Sequence, residues 1–173
     1  MVGASAILGS VAGLRRTIYR AAEPCSLASH MDPLIAFVAT VALVVSVVLL
    51  HYETLLHASR LAERMTIPPR RRILVVIGAA LLAHLAEIAL FAGGYWLMQL
   101  RPGLGAIGGE LEGGPVDYLY FSLTMYTTLG IGDVAASGLM RLPSGVESLV
   151  GLVLITWSAS LSYLAMERFW GDH

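Results

Sequence analysis

The stretch Thr127-Thr128-Leu129-Gly130-Ile131-Gly132-Asp133 decides the fold of this chain. Its two glycines stand at alternate positions, and glycine readily adopts left-handed dihedrals that other residues resist. Successive carbonyl groups of the stretch can therefore point to one side. A helix-like segment precedes it, and an uncharged apolar run, residues 148–166, follows it. Four such strands around one axis would stack rings of carbonyl oxygen, with the Thr128 hydroxyls as an inner ring. Rings of this kind can replace the water shell of a cation.

These residues resemble the potassium channel family, whose usual filter reads Thr-Val-Gly-Tyr-Gly-Asp after a short re-entrant pore helix. The likeness runs from about residue 117 to 163 and includes an aromatic pair, Tyr120-Phe121, ahead of the threonines. It implies a re-entrant pore helix, a selectivity-filter loop and a homotetramer that conducts K⁺ passively. It also implies that K⁺ binds at Thr128, Leu129, Gly130 and Ile131, with Gly132 completing the filter, and that no other cofactor is needed.

The sequence departs from the family pattern at two positions, one in the stretch and one on the pore helix before it. Ile131 stands where the family usually has Tyr or Phe, so the aromatic ring that braces the filter is missing. Thr124 occupies a position where some relatives carry a Glu that hydrogen-bonds to the filter Asp. The resemblance makes Thr127, Asp133, Thr124 and Tyr120 the supports of the filter. The partner of Asp133 stays open among Tyr120, Thr124 and water.

The composition is that of a membrane protein. Hydrophobic residues make up 57% of the 173 residues, charged residues 13%, and the mean hydropathy is +0.74, values that a soluble domain does not show. The net charge of −1 gives no reason to expect a nucleic-acid partner. A single cysteine, Cys25, excludes an intrachain disulfide. We expect no enzyme activity.

Apolar runs predict three transmembrane helices, so the predicted fold is all-α. Residues 33–50 form the first helix, residues 73–100 the second and residues 146–169 the inner helix, each close to the length that crosses a bilayer core. Between the last two lie a glycine-rich turret, the pore helix (116–127) and the filter, with an outer loop (135–145) after it. The chain thus divides into a tail (1–30), a first helix with its loop (31–72) and a pore module (73–173).

Charge predicts the orientation of these helices. The loop region 52–72 carries five basic residues: Arg60, Arg64, Arg70, Arg71 and Arg72. The connection 100–118 carries Arg101 against Glu110, Glu112 and Asp117. By the positive-inside rule the first loop and the C-terminus are cytoplasmic, and the filter faces outward across a plasma (inner) membrane.

Residues 1–30 fit this plan poorly, because their apolar part is too short to span and lacks a basic leader. Met31 is a candidate translation start. Otherwise the segment is a disordered tail or an interfacial amphipathic helix.

The inner helix carries small or hydroxyl-bearing residues on one face. Thr156, Ser160 and Tyr163 recur at spacings of four and three and are candidates for the pore lining. Close helix packing is the alternative for each of them. Gly151 is a candidate gating hinge or a packing notch.

His84 and Glu87 are ionisable residues within the second apolar run. They lie one turn apart, so they share a face, and groups at membrane depth tend to be paired or functional. They form either a pH-sensitive gating contact or a hydrogen-bonded pair that locks this helix to a neighbour. We place His51, Glu53 and His57 about two turns nearer the cytoplasm, so no metal site is predicted from the five.

The best interpretation is a homotetrameric K⁺ channel whose partners are lipid, K⁺ and its own copies. A non-selective cation channel is one alternative, because Ile131 replaces the aromatic residue. A non-conducting membrane subunit or scaffold is another.

Overall fold

The computed structural model describes residues 28–111 and 114–170. The expectations for residues 1–27, for Cys25 and for Glu112 fall outside these residues. Four helices make up most of the described chain: α1 (Ala28–Arg64), α2 (Pro69–Gln99), α3 (Pro115–Tyr126) and α4 (Arg141–Trp170). Two three-residue strands, β1 (Ile107–Gly109) and β2 (Val134–Ala136), and a 3₁₀ turn (Gly138–Met140) complete it. The all-α prediction is confirmed, and α1, α2 and α4 are each long and apolar enough to cross a membrane.

The first helix is longer than predicted. It starts at Ala28 rather than residue 33 and continues past residue 50 to Arg64. The prediction that residues 52–72 form a loop is therefore wrong. Arg60 and Arg64 lie on α1, Arg70 to Arg72 lie in the first turn of α2, and only residues 65–68 connect the helices. Hydropathy marks the apolar part of a helix, whereas backbone hydrogen bonding continues through polar residues beyond it. Pro69 then starts α2, since proline suits the first helical position.

Helix α3 is short, with 12 residues between Gly114 and Thr127. Pro115 occupies its first position, and the Asp117 carboxylate accepts the Gly114 N–H at 3.0 Å. A carboxylate there satisfies a free donor and complements the positive end of the helix dipole. At about 1.5 Å per residue, α3 extends roughly 18 Å and cannot cross a hydrocarbon core of about 30 Å. Its length is that of a re-entrant helix.

The segment after residue 133 is more ordered than the predicted outer loop. Strand β2 pairs antiparallel with β1, Ile107 opposite Ala136, and α4 begins at Arg141 rather than residue 146. The glycine-rich turret is thereby fastened to the chain that follows the 127–133 stretch. Gly109 permits this contact, because its φ is 135° and a Cβ there would lie 2.0 Å from the Asp133 carbonyl oxygen.

Helices α1 and α4 run in the same direction and α2 runs against them. Arg101 after α2 pairs with Asp32 near the start of α1 (3.2 Å), whereas Arg168 near the end of α4 pairs with Glu63 near the end of α1 (2.5 Å). The shared core is aromatic around Tyr95, whose ring meets that of Phe121 edge-on at 5.1 Å. Long apolar side chains such as Leu82 (68% exposed) cover the outer surface of the single chain.

Candidate functional site

The 127–133 stretch, hereafter the candidate filter, has an alternating backbone. Thr128, Gly130 and Gly132 have φ values of 59°, 50° and 92°, all in the left-handed region, and the residues between them do not. The glycine spacing predicted this at two positions. The third is Thr128, a β-branched residue for which positive φ is a genuine outlier. Such strain persists only where the surroundings hold it, and it clusters at functional sites.

The C-terminal end of α3 holds the inner end of the candidate filter. The Thr124 carbonyl accepts both the Leu129 N–H (2.9 Å) and the Gly130 N–H (3.1 Å), and the Met125 carbonyl accepts the Thr128 N–H (3.0 Å). The Thr127 hydroxyl donates to the Leu123 carbonyl at 2.7 Å. The Thr124 and Met125 carbonyls belong to the last turn of α3, whose carbonyl groups have no partner within the helix. Thr124 supports the segment through its backbone, because its hydroxyl donates to the Phe121 carbonyl (2.8 Å).

Tyr120 is the partner of Asp133. Its phenol donates to Oδ2 at 2.8 Å, while Oδ1 accepts the Val134 N–H at 2.9 Å. The Asp133 carbonyl also accepts the Glu110 N–H at 3.2 Å. The carboxylate raises the pKa of the Tyr120 phenol above its ordinary value, mainly through this hydrogen bond. The outer end of the candidate filter is therefore held by α3 and by the turret.

Ile131, which stands where the family usually has an aromatic residue, is exposed in the single chain. Ile131 is 58% exposed and Leu129 is 65% exposed. A Cβ at Gly130 or Gly132 would meet nothing within 4 Å. The backbone of the candidate filter is fastened at both ends, whereas the Leu129 and Ile131 side chains are exposed in the single chain.

Helix α4 packs directly against the end of α3. The Ser148 hydroxyl donates to the Met125 carbonyl at 2.8 Å. At Gly151 a Cβ would lie 2.1 Å from the Tyr126 carbonyl oxygen, so Gly151 is a packing notch that lets the two backbones approach. The candidate pore-lining residues Thr156, Ser160 and Tyr163 are all exposed on α4.

A buried carboxyl group behind α3 was not predicted from the sequence. Glu147 on α4 is fully buried; it accepts the Tyr95 phenol at 2.5 Å on one oxygen and lies 2.5 Å from the Ser122 hydroxyl on the other. The Ser122 hydroxyl also donates a hydrogen bond to the Ile88 carbonyl at 2.8 Å. Helices α2, α3 and α4 meet at this carboxyl. The sequence could have indicated Glu147, because an ionisable residue next to an apolar membrane run tends to be paired or functional.

A second buried cluster connects all four helices. Glu87 accepts hydrogen bonds from Tyr126 and from His51 Nδ1 (2.8 Å), and His84 Nδ1 lies 3.3 Å away. His51 Nε2 in turn contacts the Ser158 hydroxyl at 3.2 Å. The sequence predicted the proximity of His84 and Glu87, but placing His51 two turns away was wrong. His51 lies within the continuous α1 helix and its side chain is fully buried against Glu87.

Comparison with known families gives a result that agrees with this geometry. The family described as "Ion channel" matches residues 73–167, more than half of the chain. Comparisons with curated proteins and with solved structures gave no match. The matched residues run from α2 through the candidate filter to α4, and the membrane-length helices accompany them. The chain belongs to the ion channel family. Helix α1, which supplies His51, lies outside the matched residues.

Proposed function

We propose that the protein is a potassium channel whose pore is formed by four copies of the chain around the candidate filter. The observation that carries the proposal is the alternation of left-handed dihedrals at Thr128, Gly130 and Gly132. With that alternation, successive carbonyl oxygens can face one axis and replace the hydration shell of K⁺. One such segment cannot enclose a pore, so the proposal requires several copies.

The charges around the candidate filter support cation conduction. Helix α3 ends at Tyr126 beside Thr127 and Thr128, so the negative end of its dipole, roughly half a charge, lies at the inner end of the segment. Asp133 and Glu110 lie at the outer end. Negative charge at both ends concentrates cations and repels anions.

We further propose that the candidate filter faces outward across the plasma membrane, with the arginines of residues 60–72 and the end of α4 in the cytoplasm. Arg60, Arg64 and Arg70 to Arg72 flank the short connection 65–68. The positive-inside rule counts such residues near the ends of membrane helices. Thr156, Ser160 and Tyr163 then line the cavity below the filter.

Recording from purified protein in planar bilayers under opposed K⁺ and Na⁺ gradients tests the proposal. We expect a cation current that reverses near the K⁺ equilibrium potential. Gly130→Ala should abolish the current, because alanine resists the φ of 50°, while the protein remains a tetramer by mass measurement. Gly93→Ala is the matched control, since a Cβ there meets nothing within 4 Å.

Three results would contradict the proposal. A reversal potential midway between the K⁺ and Na⁺ equilibrium potentials would indicate a non-selective channel, which Ile131 permits. Absence of current from a folded tetramer would indicate a non-conducting subunit. A stable dimer or trimer as the sole species would exclude the fourfold pore.

A further inference from the structure

Three side chains of metal-binding type converge inside the helix bundle. The ligand atoms of His51, His84 and Glu87 all lie within 4.8 Å of one another. Two tetrahedral ligands about 2.1 Å from a zinc ion lie roughly 3.4 Å apart, so small side-chain rotations would bring these atoms to coordinating distance. The His51 and His84 rings already lie side by side, with centroids 5.2 Å apart. Two imidazoles and one carboxylate are a ligand set that zinc takes in proteins.

The outer atoms of His51 and Glu87 are held as those of metal ligands usually are, whereas His84 Nδ1 lies 2.8 Å from the Tyr126 hydroxyl, a contact that a bound ion would replace. His51 directs Nδ1 at Glu87, and its other nitrogen, Nε2, contacts the Ser158 hydroxyl at 3.2 Å. Glu87 directs Oε1 at His51, and its other oxygen, Oε2, accepts the Tyr126 hydroxyl. Hydrogen bonds of this kind orient ligands and contribute to metal affinity. Nδ1 of His51 and Oε1 of Glu87 are thereby aimed at each other.

The electrostatic surroundings also favour a cation. Tyr126, which donates to Glu87, is the last residue of α3, so the negative end of that helix dipole is nearby. In the described residues around the cluster, no Arg lies within hydrogen-bond distance of Glu87, whose contacts are His51, His84 and Tyr126. The His84 side chain is 14% exposed, whereas those of His51 and Glu87 are fully buried.

We propose that His51, His84 and Glu87 form a binding site for a divalent transition-metal ion, for which Zn²⁺ is the natural probe. His51 Nδ1, His84 Nδ1 and a Glu87 oxygen are the protein ligands, and water fills the fourth position. The ion connects α1 to α2 beside Tyr126, at the end of the helix that holds the candidate filter. Zn²⁺ therefore reduces the current. This effect on the current rests on the proposed channel function, whereas the existence of the metal site does not depend on it.

Co²⁺ titration of the full chain, purified in detergent and freed of metal with a chelator, tests the site without any need for conduction. We expect saturation at one Co²⁺ per chain, with the intense visible absorption of four-coordinate Co²⁺, and competition by Zn²⁺. His84→Gln should weaken binding at least about tenfold. It is the decisive variant because His84 is partly exposed and the buried His51–Glu87 bond remains. Wild-type protein without a saturable four-coordinate spectrum would overturn the proposal.

The chain provides a matched control on α1. His57 and Glu53 form an exposed pair on one face, with Nδ1 and Oε2 3.6 Å apart. His57→Gln should leave the Co²⁺ spectrum and affinity unchanged. If His57→Gln removes binding and His84→Gln does not, the ion occupies the surface pair and the proposal is wrong. In bilayers, Zn²⁺ inhibition should be lost in His84→Gln and kept in His57→Gln; equal inhibition of both would refute the effect on the current.

Discussion

Replacement of Gly151 by alanine should damage both the packing of the bundle and the current. A Cβ at Gly151 would lie 2.1 Å from the Tyr126 carbonyl oxygen, 2.9 Å from its carbon and 3.1 Å from its Cα. All three atoms are backbone, so no side chain can turn aside. The end of α3 and the part of α4 around Gly151 must separate by about 1 Å to restore ordinary contact. That separation moves the carbonyls of Thr124 and Met125, which hold the candidate filter.

The expected magnitude comes from two opposing effects. Alanine gains about 0.5–1 kcal/mol over glycine within a helix. Overpacking of a close contact costs about 1–3 kcal/mol. Gly145→Ala on the same helix provides the reference, because a Cβ there meets nothing within 4 Å and only the gain applies. The free energy of unfolding of Gly151→Ala should therefore lie about 1–3 kcal/mol below that of Gly145→Ala.

Denaturant unfolding in detergent, followed by circular dichroism, measures this difference, and bilayer recording of the same samples measures the current. Gly151→Ala should carry little current, whereas Gly145→Ala should resemble the wild type. If Gly151→Ala were as stable as Gly145→Ala and conducted normally, the close approach of α4 to Tyr126 would not constrain the candidate filter. A stable Gly151→Ala variant in which only the gating is altered would favour the hinge over the packing notch.

Three further changes test other contacts. Tyr120→Phe removes the donor to Asp133 and should shorten open times without loss of assembly. Because the pKa of Tyr120 is raised, the contribution of this hydrogen bond should be complete below the ordinary tyrosine pKa and be lost only as the pH rises through the raised value. A Tyr120→Phe channel that matches the wild type in single-channel recordings would contradict this role. Glu147→Gln can still accept from Tyr95 and donate to Ser122, so its free energy of unfolding should lie within about 1 kcal/mol of the wild type. Glu147→Leu removes the partner of the buried Tyr95 hydroxyl, whereas Ser122 keeps the Ile88 carbonyl as an acceptor, so this change should cost about 1–3 kcal/mol. Equal unfolding free energies for the two variants would show that the carboxyl bonds contribute little. Ile131→Tyr adds the missing ring and should shift the reversal potential towards the K⁺ equilibrium potential, or leave it there if the pore already selects K⁺ strictly. A shift towards the Na⁺ equilibrium potential would mean that Ile131 is matched to its own surroundings.

Features that depend on neighbouring residues in the sequence could be predicted. The glycine spacing predicted the left-handed residues 130 and 132, and apolar runs predicted three long helices. Asp133 was recognised as part of the motif, but choosing Tyr120 as its partner required the structure, since residues 13 apart can meet in many ways.

The buried clusters could not be predicted in the same way, because they depend on how helices align. Hydropathy ended the first span at residue 50, which placed His51 at a membrane boundary. Continuing the helix to Arg64 moves His51 into the middle of α1 and opposite Glu87, 36 residues later. Glu147 was overlooked because the apolar run was counted from the residue after it. Single charges at the edge of a run can thus fall inside a packed bundle.

The contact between His51 and Glu87 limits how the molecule can be divided. The family match begins at residue 73, which suggests α2 to α4 as a minimal unit for chimeras with other channels. Cutting the chain there would remove the residue that holds one Glu87 oxygen and leave a carboxylate without that partner at membrane depth, where such a group is costly. A transplant of this module would therefore have to carry α1 with it or replace Glu87 with a neutral side chain.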